Sequence, residues 1–246
     1  MQNEVLKQLK NRKSVRSYTE RDIEPEKVQV ILEASTMAPT AGNQQLYTIL
    51  KVTDPQVQSA LADACDHQPF IAQAKLVLLY LADCLKWYEA FKACGCDPRN
   101  PGPGDLILSI DDALIAAQNA VTAAESMGIG SCYIGDVMEN CETIRKLLAL
   151  PDYVFPAALL VFGYPTPQQM DRRKPERMDL KDIVQENYYH HRDAQELESM
   201  FRKQCGNCDY TDWMRAFCDR KYNSGFSREM SRSVAEYLEQ YLRPGR

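Results

Sequence analysis

The chain has 246 residues, and 29 Lys and Arg against 34 Asp and Glu give it a formal net charge of −5. This acidic balance argues against a general nucleic-acid-binding protein, which needs an excess of basic residues for phosphate contacts. With 45% hydrophobic and 26% charged residues, the composition excludes disorder as the main state. The longest apolar runs, 76–82 and 157–162, are far shorter than the ~20 residues that span a bilayer. We therefore expect a soluble, cytoplasmic protein.

In chain order, hydrophobic periodicity predicts helices and strands that alternate without a regular βαβ repeat. The predicted helices are 3–10, 25–38, 55–66, 105–127, 139–148, 194–203 and 227–242. The predicted strands are 47–53, 75–82, 130–134 and 154–162, and residues 94–104, rich in Pro and Gly, are predicted as a loop. These elements indicate an α+β fold of layered α/β type, with a core of sheet and helices.

Two segments bear on the domain organisation. Residues 105–127 are rich in Ala, Leu and Ile on more than one side, which predicts a central helix buried almost all round. After Gly163 the chain becomes Pro-rich and basic and then polar and helical, so we predict a main domain over 1–190 and a helical extension over 191–246. The tail that begins at Cys205 has about 40 residues, which rarely bury their aromatic side chains alone, so this tail should dock on the main domain or on a second subunit.

Nine cysteines, an odd number, favour reduced thiols over a disulfide framework. Cys205 and Cys208 form a CxxC pair, but a zinc site needs four ligands and the three histidines offer no matching spacing. We predict no metal site. A zinc- or redox-responsive binding module built on this pair remains an alternative.

Two basic clusters could bind an anion. Residues 11–17 contain three cations and two hydroxyls, and residues 172–177 contain four cations. The chain has no GxGxxG after a strand, no P-loop and no GxSxG. The clusters could converge on one phosphate, where guanidinium groups and a hydroxyl supply matched donors, or they could be two solvated loops.

Three turns of small residues could lie against a flat ligand. Residues 38–45 connect a predicted helix to a strand, 67–70 precede the second strand, and 128–135 follow the long helix. Small side chains let backbone groups approach a ligand closely.

Taken in order, five segments resemble the FMN-dependent nitroreductase family, and within it the flavin reductase branch that uses NADPH. They are an RxSxR-like opening at 12–16, an AP[ST]xxNxQ turn at 38–45, an HQ pair at 67–68, a GxGxxYIG turn at 128–135 and a KPxR-like loop at 174–177. The resemblance implies a mixed sheet of four or five strands flanked by helices, and a homodimer with FMN at the subunit interface. Residues 1–190 would be the FMN-binding domain.

The resemblance also implies which residues contact FMN. Those expected at the phosphate are Arg12, Lys13, Ser14, Lys174 and Arg177. Those expected around the ring are Arg16 at the pyrimidine edge, Gln68 at the ring edge, and Pro39, Thr40, Ala41, Asn43, Tyr133, Ile134, Gly135 and Asp136. A main-chain N–H of Gly135 or Asp136 would point at the flavin N5. Glu176 separates Pro175 from Arg177, so Arg173 could take the place of Arg177.

The implied activity is hydride transfer from NADPH or NADH through bound FMN to a nitroaromatic, quinone or flavin acceptor, by a ping-pong mechanism. FMN carries this chemistry, so no side chain is expected to be catalytic. An alternative within the same fold is a flavoenzyme with a dedicated substrate, for example in reductive dehalogenation. The physiological acceptor and the choice between NADPH and NADH are left open by the resemblance.

Overall fold

The structure is a computed structural model that describes residues 3–242. The described chain separates into two compact units. The first contains residues 3–172 and 229–242, and the second contains residues 173–228. The sequence-based boundary at 190/191 separates two domains, which is a different property from this division into compact units. That boundary stays a prediction.

The first unit is built from one sheet and several helices. Its strands are β1 (Tyr47–Val52), β2 (Leu76–Asp83), β3 (Gly130–Ile134) and β4 (Val154–Gly163). Its helices are α1 (Glu4–Asn11), α2 (Pro25–Thr36), α3 (Pro55–Ala64), α4 (Pro69–Ala72), α5 (Leu85–Ala93), α6 (Pro103–Ser126), α7 (Cys141–Leu148) and α8 (Pro167–Asp171). Short 3-10 turns lie at Ala41–Asn43 and Asp136–Met138. All four predicted strands are present, whereas helix α5 and the short helices α4 and α8 were not predicted.

The strands form one sheet in the order β1-β2-β4-β3, and every neighbouring pair is antiparallel. The predicted number of strands is confirmed, but the expected mixed sheet is wrong for the described strands. A single parallel bridge, between Ser14 and Ser131, joins the N-terminal loop to β3. Strand direction depends on the path of the connecting helices, which hydrophobic periodicity does not encode.

Helices cover both faces of the sheet, and this explains the continuous apolar runs of β2 and β4. Along β2, Leu78 and Tyr80 face a core cluster that contains residues of α2 and α6. The alternate residues, Leu79 and Leu81, face a second cluster that contains residues of α3 and α7. Successive side chains of a strand point to opposite faces, so a sheet between two helical layers needs apolar residues at every position.

Helix α6 is the long apolar helix, but it is not buried all round. Its small residues pack on the sheet, with Ala113 and Ala117 fully buried, whereas Ile107, Leu114 and Ile115 are between 38% and 57% exposed. By length and composition alone α6 could cross a membrane. Its buried face and its place in the core cluster identify it as a core helix. The predicted, almost all-round burial is not reached within one chain, where an apolar stripe of α6 is left exposed.

The N-terminus of α6 shows how a local signal sets a boundary. Pro103 occupies the first turn, and the Asp105 carboxylate accepts a hydrogen bond from the Gly102 N–H at 2.7 Å. This capping interaction begins the helix two residues before the predicted start, because Pro is favoured in the first turn of a helix.

Helix α12 (Gly225–Leu242) joins the first unit from Glu229 onward. The Ser233 hydroxyl accepts from the Cys141 N–H at 2.9 Å, and the Gln240 side-chain oxygen accepts from the Tyr153 N–H at 2.8 Å. The Tyr237 ring packs edge-on against Phe155, with ring centroids 5.1 Å apart. The last described helix is thus part of the sheet's core.

The second unit contains α9 (Leu180–Ile183), α10 (Ala194–Cys205) and α11 (Tyr210–Lys221). Asp193 and Glu196 form a capping box at the start of α10, which supports the prediction of a helix near 194–203. Within α11, Trp213 and Phe217 stack with ring centroids 5.3 Å apart.

Candidate active site

The N-terminal basic loop is held against the edge of the sheet at β3. The Val15 N–H donates to the Ser131 carbonyl at 2.9 Å, next to the bridge between Ser14 and Ser131. A Cβ atom on Gly130 would lie 2.5 Å from the Val15 side chain, so the close approach requires glycine at this position. The loop is thereby fixed to the strand that leads into the 133–136 turn.

Arg12 presents an unsatisfied donor at this edge. Its guanidinium lies over the Tyr133 ring, 5.8 Å from the centroid. The Arg12 Nε atom is buried and has no hydrogen-bond partner among the described residues, and the same is true of the Ser131 hydroxyl. A buried unpaired donor costs about 1–3 kcal/mol, so an anion placed here would stabilise the arrangement. The donors therefore fit the phosphate group that the resemblance implies.

Tyr133 forms part of the same surface and is half-buried. Its hydroxyl donates to the Gln118 side-chain oxygen on α6 at 3.3 Å. Burial raises the pKa of Tyr133 to about 12, while the nearby Arg12 partly opposes this rise. The ring therefore stays neutral at physiological pH and offers a flat apolar face.

Lys13 is engaged elsewhere. Its ammonium donates to the Met170 carbonyl and, at 2.6 Å, to the Arg172 carbonyl. These acceptors lie at the C-terminus of α8, where a cation is favoured by the helix dipole. A contact between Lys13 and a phosphate would require the ammonium to leave these two carbonyl oxygens. Phosphate binding by Lys13 therefore stays a prediction.

The HQ segment meets the 133–136 turn. The Gln68 side-chain amide donates to the Asp136 carboxylate and, at 2.9 Å, to the Cys65 carbonyl. The Arg16 guanidinium lies 5.8 Å from the centroid of the Phe70 ring, which is two residues beyond Gln68. Three segments distant in sequence, 12–16, 68–70 and 133–136, are thus in contact with one another.

Within the 133–136 turn, Ile134 is 3% exposed and belongs to the core, whereas Gly135 is exposed. Gly135 leads directly into the 3-10 turn Asp136–Met138. Because its side chain is buried, Ile134 could support a flavin ring only from the side of the protein core. The backbone of Gly135 is accessible to a ligand.

The turn at 38–45 is organised by a residue that the sequence did not single out. The buried Asp112 carboxylate on α6 accepts from the Ala41 N–H at 2.9 Å and from the Leu46 N–H at 3.1 Å. Both Gly42 and Asn43 have φ of +56° inside this turn. An acidic residue amid the small apolar residues of α6 was the signal that could have revealed it, because a buried carboxylate needs donors.

Two other predicted contacts of this turn are accessible. Pro39 and Asn43 are exposed, while the Thr40 hydroxyl accepts from the Gln45 N–H at 3.2 Å. The turn leads into β1, whereas the basic loop bridges β3, so the two segments border opposite edge strands. Three strand spacings separate these edges, a distance of about 14 Å.

The late basic loop belongs to the second unit. There Arg173 is ion-paired with Glu176, Lys174 is half-buried, and Arg177 is exposed. The pairing of Arg173 makes it a weaker candidate than Arg177 for a phosphate contact. The predicted convergence of Lys174 and Arg177 with Arg12 stays a prediction.

Glu139 follows the 133–136 turn and is only 5% exposed. Burial raises the pKa of its carboxyl to about 7, and the like charges of Asp136, Asp66 and Glu229 add to this effect. In the unfolded chain a glutamate titrates near pH 4.3. Between these two pKa values the folded protein keeps the Glu139 proton that the unfolded chain has lost. The free energy of unfolding therefore falls as pH rises from about 4.3 to 7.

We expect Glu139→Gln to remove this decline, because glutamine keeps the shape of the neutral carboxyl. At pH 8 the variant should be more stable than the parent by on the order of 1–2 kcal/mol, and at pH 4 the two should be similar. Urea unfolding across this pH range measures the difference. Glu236→Gln, at an exposed position of α12, is the matched control; a parallel pH profile for both variants would contradict the assignment.

The cysteines do not form a metal centre in the described part of the chain. Residues 3–242 contain no group of three or more His, Cys, Asp or Glu side chains arranged to hold a metal ion. The Cys205 thiol donates to the Cys208 carbonyl at 3.2 Å. The alternative of a zinc module at this pair therefore has no structural support.

Comparison with known proteins assigns the chain to a family. The profile of the nitroreductase family matches residues 9–164, which include four of the five segments described above. An FMN reductase [NAD(P)H] from Bacillus subtilis is 32% identical over 98% of this chain and 94% of its own length. An FMN reductase (NADPH) from the same organism is 28% identical over 76% of this chain and 75% of its own length. The solved structure of Bacillus megaterium NfrA2 aligns with a TM-score of 0.80 and 26% identity over 98% of each chain.

The chain belongs to the nitroreductase family, which confirms the resemblance inferred from the five segments.

Proposed function

We propose that the protein is an FMN-dependent oxidoreductase that uses NAD(P)H. The observation that carries this proposal is the buried, unpaired Nε of Arg12 beside the fixed 12–16 loop, where a phosphate would be bound. Relatives that align along most of the chain support it, since they are named as FMN reductases that use NADPH or NAD(P)H. When bound, FMN accepts a hydride from the nicotinamide and passes electrons to an acceptor.

The chain's own residues would bind and orient the cofactor. Arg12 and Ser14 would bind the phosphate, with Lys174 and Arg177 as further cations. Arg16 would stabilise negative charge at the pyrimidine edge. Gln68, held by Asp136, would present a fixed amide to the ring edge. The 39–43 turn, kept in shape by Asp112, would supply the remaining contacts.

We further propose that the protein is a cytoplasmic homodimer with FMN at the interface. Two features support this assembly. The exposed apolar stripe of α6, formed by Ile107, Leu114 and Ile115, needs a partner surface. The basic loop and the 39–43 turn border opposite edges of one sheet, so one cofactor could receive them from two subunits.

The test is to purify the protein, release its chromophore and identify it, and then measure NADPH and NADH oxidation. We expect FMN at one per subunit, a dimer in sedimentation, and parallel lines in double-reciprocal plots with a nitroaromatic, a quinone or free flavin as acceptor. A haloaromatic acceptor tests the dehalogenation alternative.

Because no thiol is required, Cys132→Ala should retain turnover. A colourless protein that does not bind added FMN would refute the proposal.

A further inference from the structure

The segment that follows β4, residues 163–172, runs alongside the N-terminal basic loop. A Cβ atom on Gly163 would lie 2.5 Å from the Tyr18 ring, so glycine is needed where the two segments meet. The Thr166 N–H donates to the Ser17 carbonyl at 3.2 Å. The basic loop is therefore bound by β3 and also by the segment that contains α8.

The start of α8 determines which of two neighbouring glutamines faces inward. The Thr166 side-chain oxygen accepts from the Gln169 N–H at 3.4 Å, and Pro167 occupies the first turn of the helix. With the helix fixed in this way, Gln169 is 6% exposed, whereas Gln168 is exposed.

The buried glutamine binds the backbone of the basic loop. Its side-chain oxygen accepts from the Arg16 N–H at 3.0 Å. The two residues are 153 positions apart, so no motif spacing could reveal this contact. Loss of the acceptor from a partly buried N–H is unfavourable, and the loop would shift to find another partner. The Arg16 guanidinium has a separate contact, over the Phe70 ring.

A second contact joins α8 to the same loop. The Lys13 ammonium donates to two carbonyl groups at the C-terminus of α8. Lys13 and Arg16 are thus bound to α8, while Ser14 and Val15, which lie between them, are bridged to β3. Contacts to these two elements therefore hold four successive residues of the loop.

This arrangement bears on the affinity for a phosphate. A loop that is ordered before its ligand arrives loses less conformational entropy when the ligand binds. Ser14, proposed at the phosphate, lies between the two residues that α8 holds, and Arg12 directly precedes them. The contacts with α8 therefore preorganise the donors proposed to bind the phosphate.

We propose that Gln169 is a positioning residue of the cofactor site, which holds the 12–16 loop in its phosphate-binding conformation and thereby sets the preference for FMN over riboflavin. This inference rests on the proposed function. FMN and riboflavin share the ring and the ribityl chain and differ only in the phosphate. A residue that orders the phosphate-binding loop therefore affects the binding of FMN more than that of riboflavin.

The test is titration of the cofactor-free, full-length protein with FMN and with riboflavin, followed by quenching of flavin fluorescence. Gln169→Met keeps the length of the side chain but removes the acceptor oxygen. We expect the Kd for FMN to rise about tenfold and the Kd for riboflavin to rise no more than about twofold. The ratio of the two Kd values is the readout, because a general loss of stability would weaken the binding of both flavins alike.

Two further variants separate the hydrogen bond from other effects. Gln169→Glu keeps an acceptor oxygen for the Arg16 N–H, so the Kd for FMN should rise only about threefold or less. If Gln169 acted through local charge instead, glutamate would repel the phosphate and bind FMN more weakly than methionine does. Gln168→Met, the same substitution at the exposed neighbouring position of α8, is the matched control and should leave both Kd values unchanged.

An equal ratio of Kd values for Gln168→Met and Gln169→Met, or weaker FMN binding by Gln169→Glu than by Gln169→Met, would overturn the role of Gln169. Such a result in a protein that binds FMN and oxidises NAD(P)H would leave the proposed function standing. A parent protein that binds neither flavin would refute the proposed function, and the role of Gln169 with it.

Discussion

Replacing Arg12 by alanine is expected to lower the affinity for FMN ten- to a hundredfold. The guanidinium has a buried Nε without a partner, placed beside a loop that is bridged to β3. A phosphate bound there would gain a charge-assisted hydrogen bond worth on the order of 1.5–3 kcal/mol, which corresponds to this loss. Titration of the cofactor-free protein with FMN, followed by flavin fluorescence, measures the change.

Lys181→Ala, at an exposed position of α9, is the control and should change the affinity little. Lys174→Ala should weaken binding by about the same amount as Arg12→Ala or somewhat less. If both side chains touch one phosphate, the double variant should be non-additive. Equal FMN affinity for the Arg12 and Lys181 variants would show that the basic loop is merely solvated.

Replacing Asp112 by alanine is expected to destabilise the protein and to weaken FMN binding as well. This buried carboxylate is the acceptor for two backbone N–H groups, those of Ala41 and Leu46. Its removal leaves two donors without a partner at a partly buried and a buried position, at a cost of about 2–4 kcal/mol. The 39–43 turn would then lose the conformation proposed to contact the flavin. Urea unfolding and FMN titration measure the two effects.

Asp111→Ala is a matched control because this neighbouring residue on α6 is exposed, and the variant should behave like the parent. Asp112→Asn keeps one acceptor oxygen in place and should show an intermediate loss. A stable Asp112→Ala protein that binds FMN normally would show that the turn holds its shape through its own glycine and asparagine. Comparison of Asp112→Asn with Asp112→Ala distinguishes a role of this carboxylate in positioning the turn from a general loss of packing.

The local pattern of apolar residues and prolines in the sequence predicted most of the secondary structure. The strands were recognisable as short apolar or β-rich runs, and α2 and α6 by their periodicity and by proline in the first turn. Helix α5 was missed because none of its residues is buried, so its apolar side chains form no core-facing stripe.

Motif order predicted the family, and three of the motif segments lie together in one chain. The contacts of Arg12 with Tyr133 and of Gln68 with Asp136 join residues more than 60 positions apart. Tertiary structure also revealed what motifs could not. It shows the Lys13 ammonium on the carbonyls of Met170 and Arg172, and it shows which carboxylate orders the 39–43 turn.

The amino-acid sequence was sufficient for the family, through the order of the five motif segments. It was also sufficient for the four strands and the main helices, because these follow from short-range spacing of apolar residues, prolines and glycines. The all-antiparallel sheet, the exposed stripe of α6 and the role of Asp112 were decided only by the tertiary structure. Strand direction and burial depend on which distant segments pack together. A carboxylate such as Asp112 acquires its function only when the fold brings two unpaired N–H groups within hydrogen-bond distance of it.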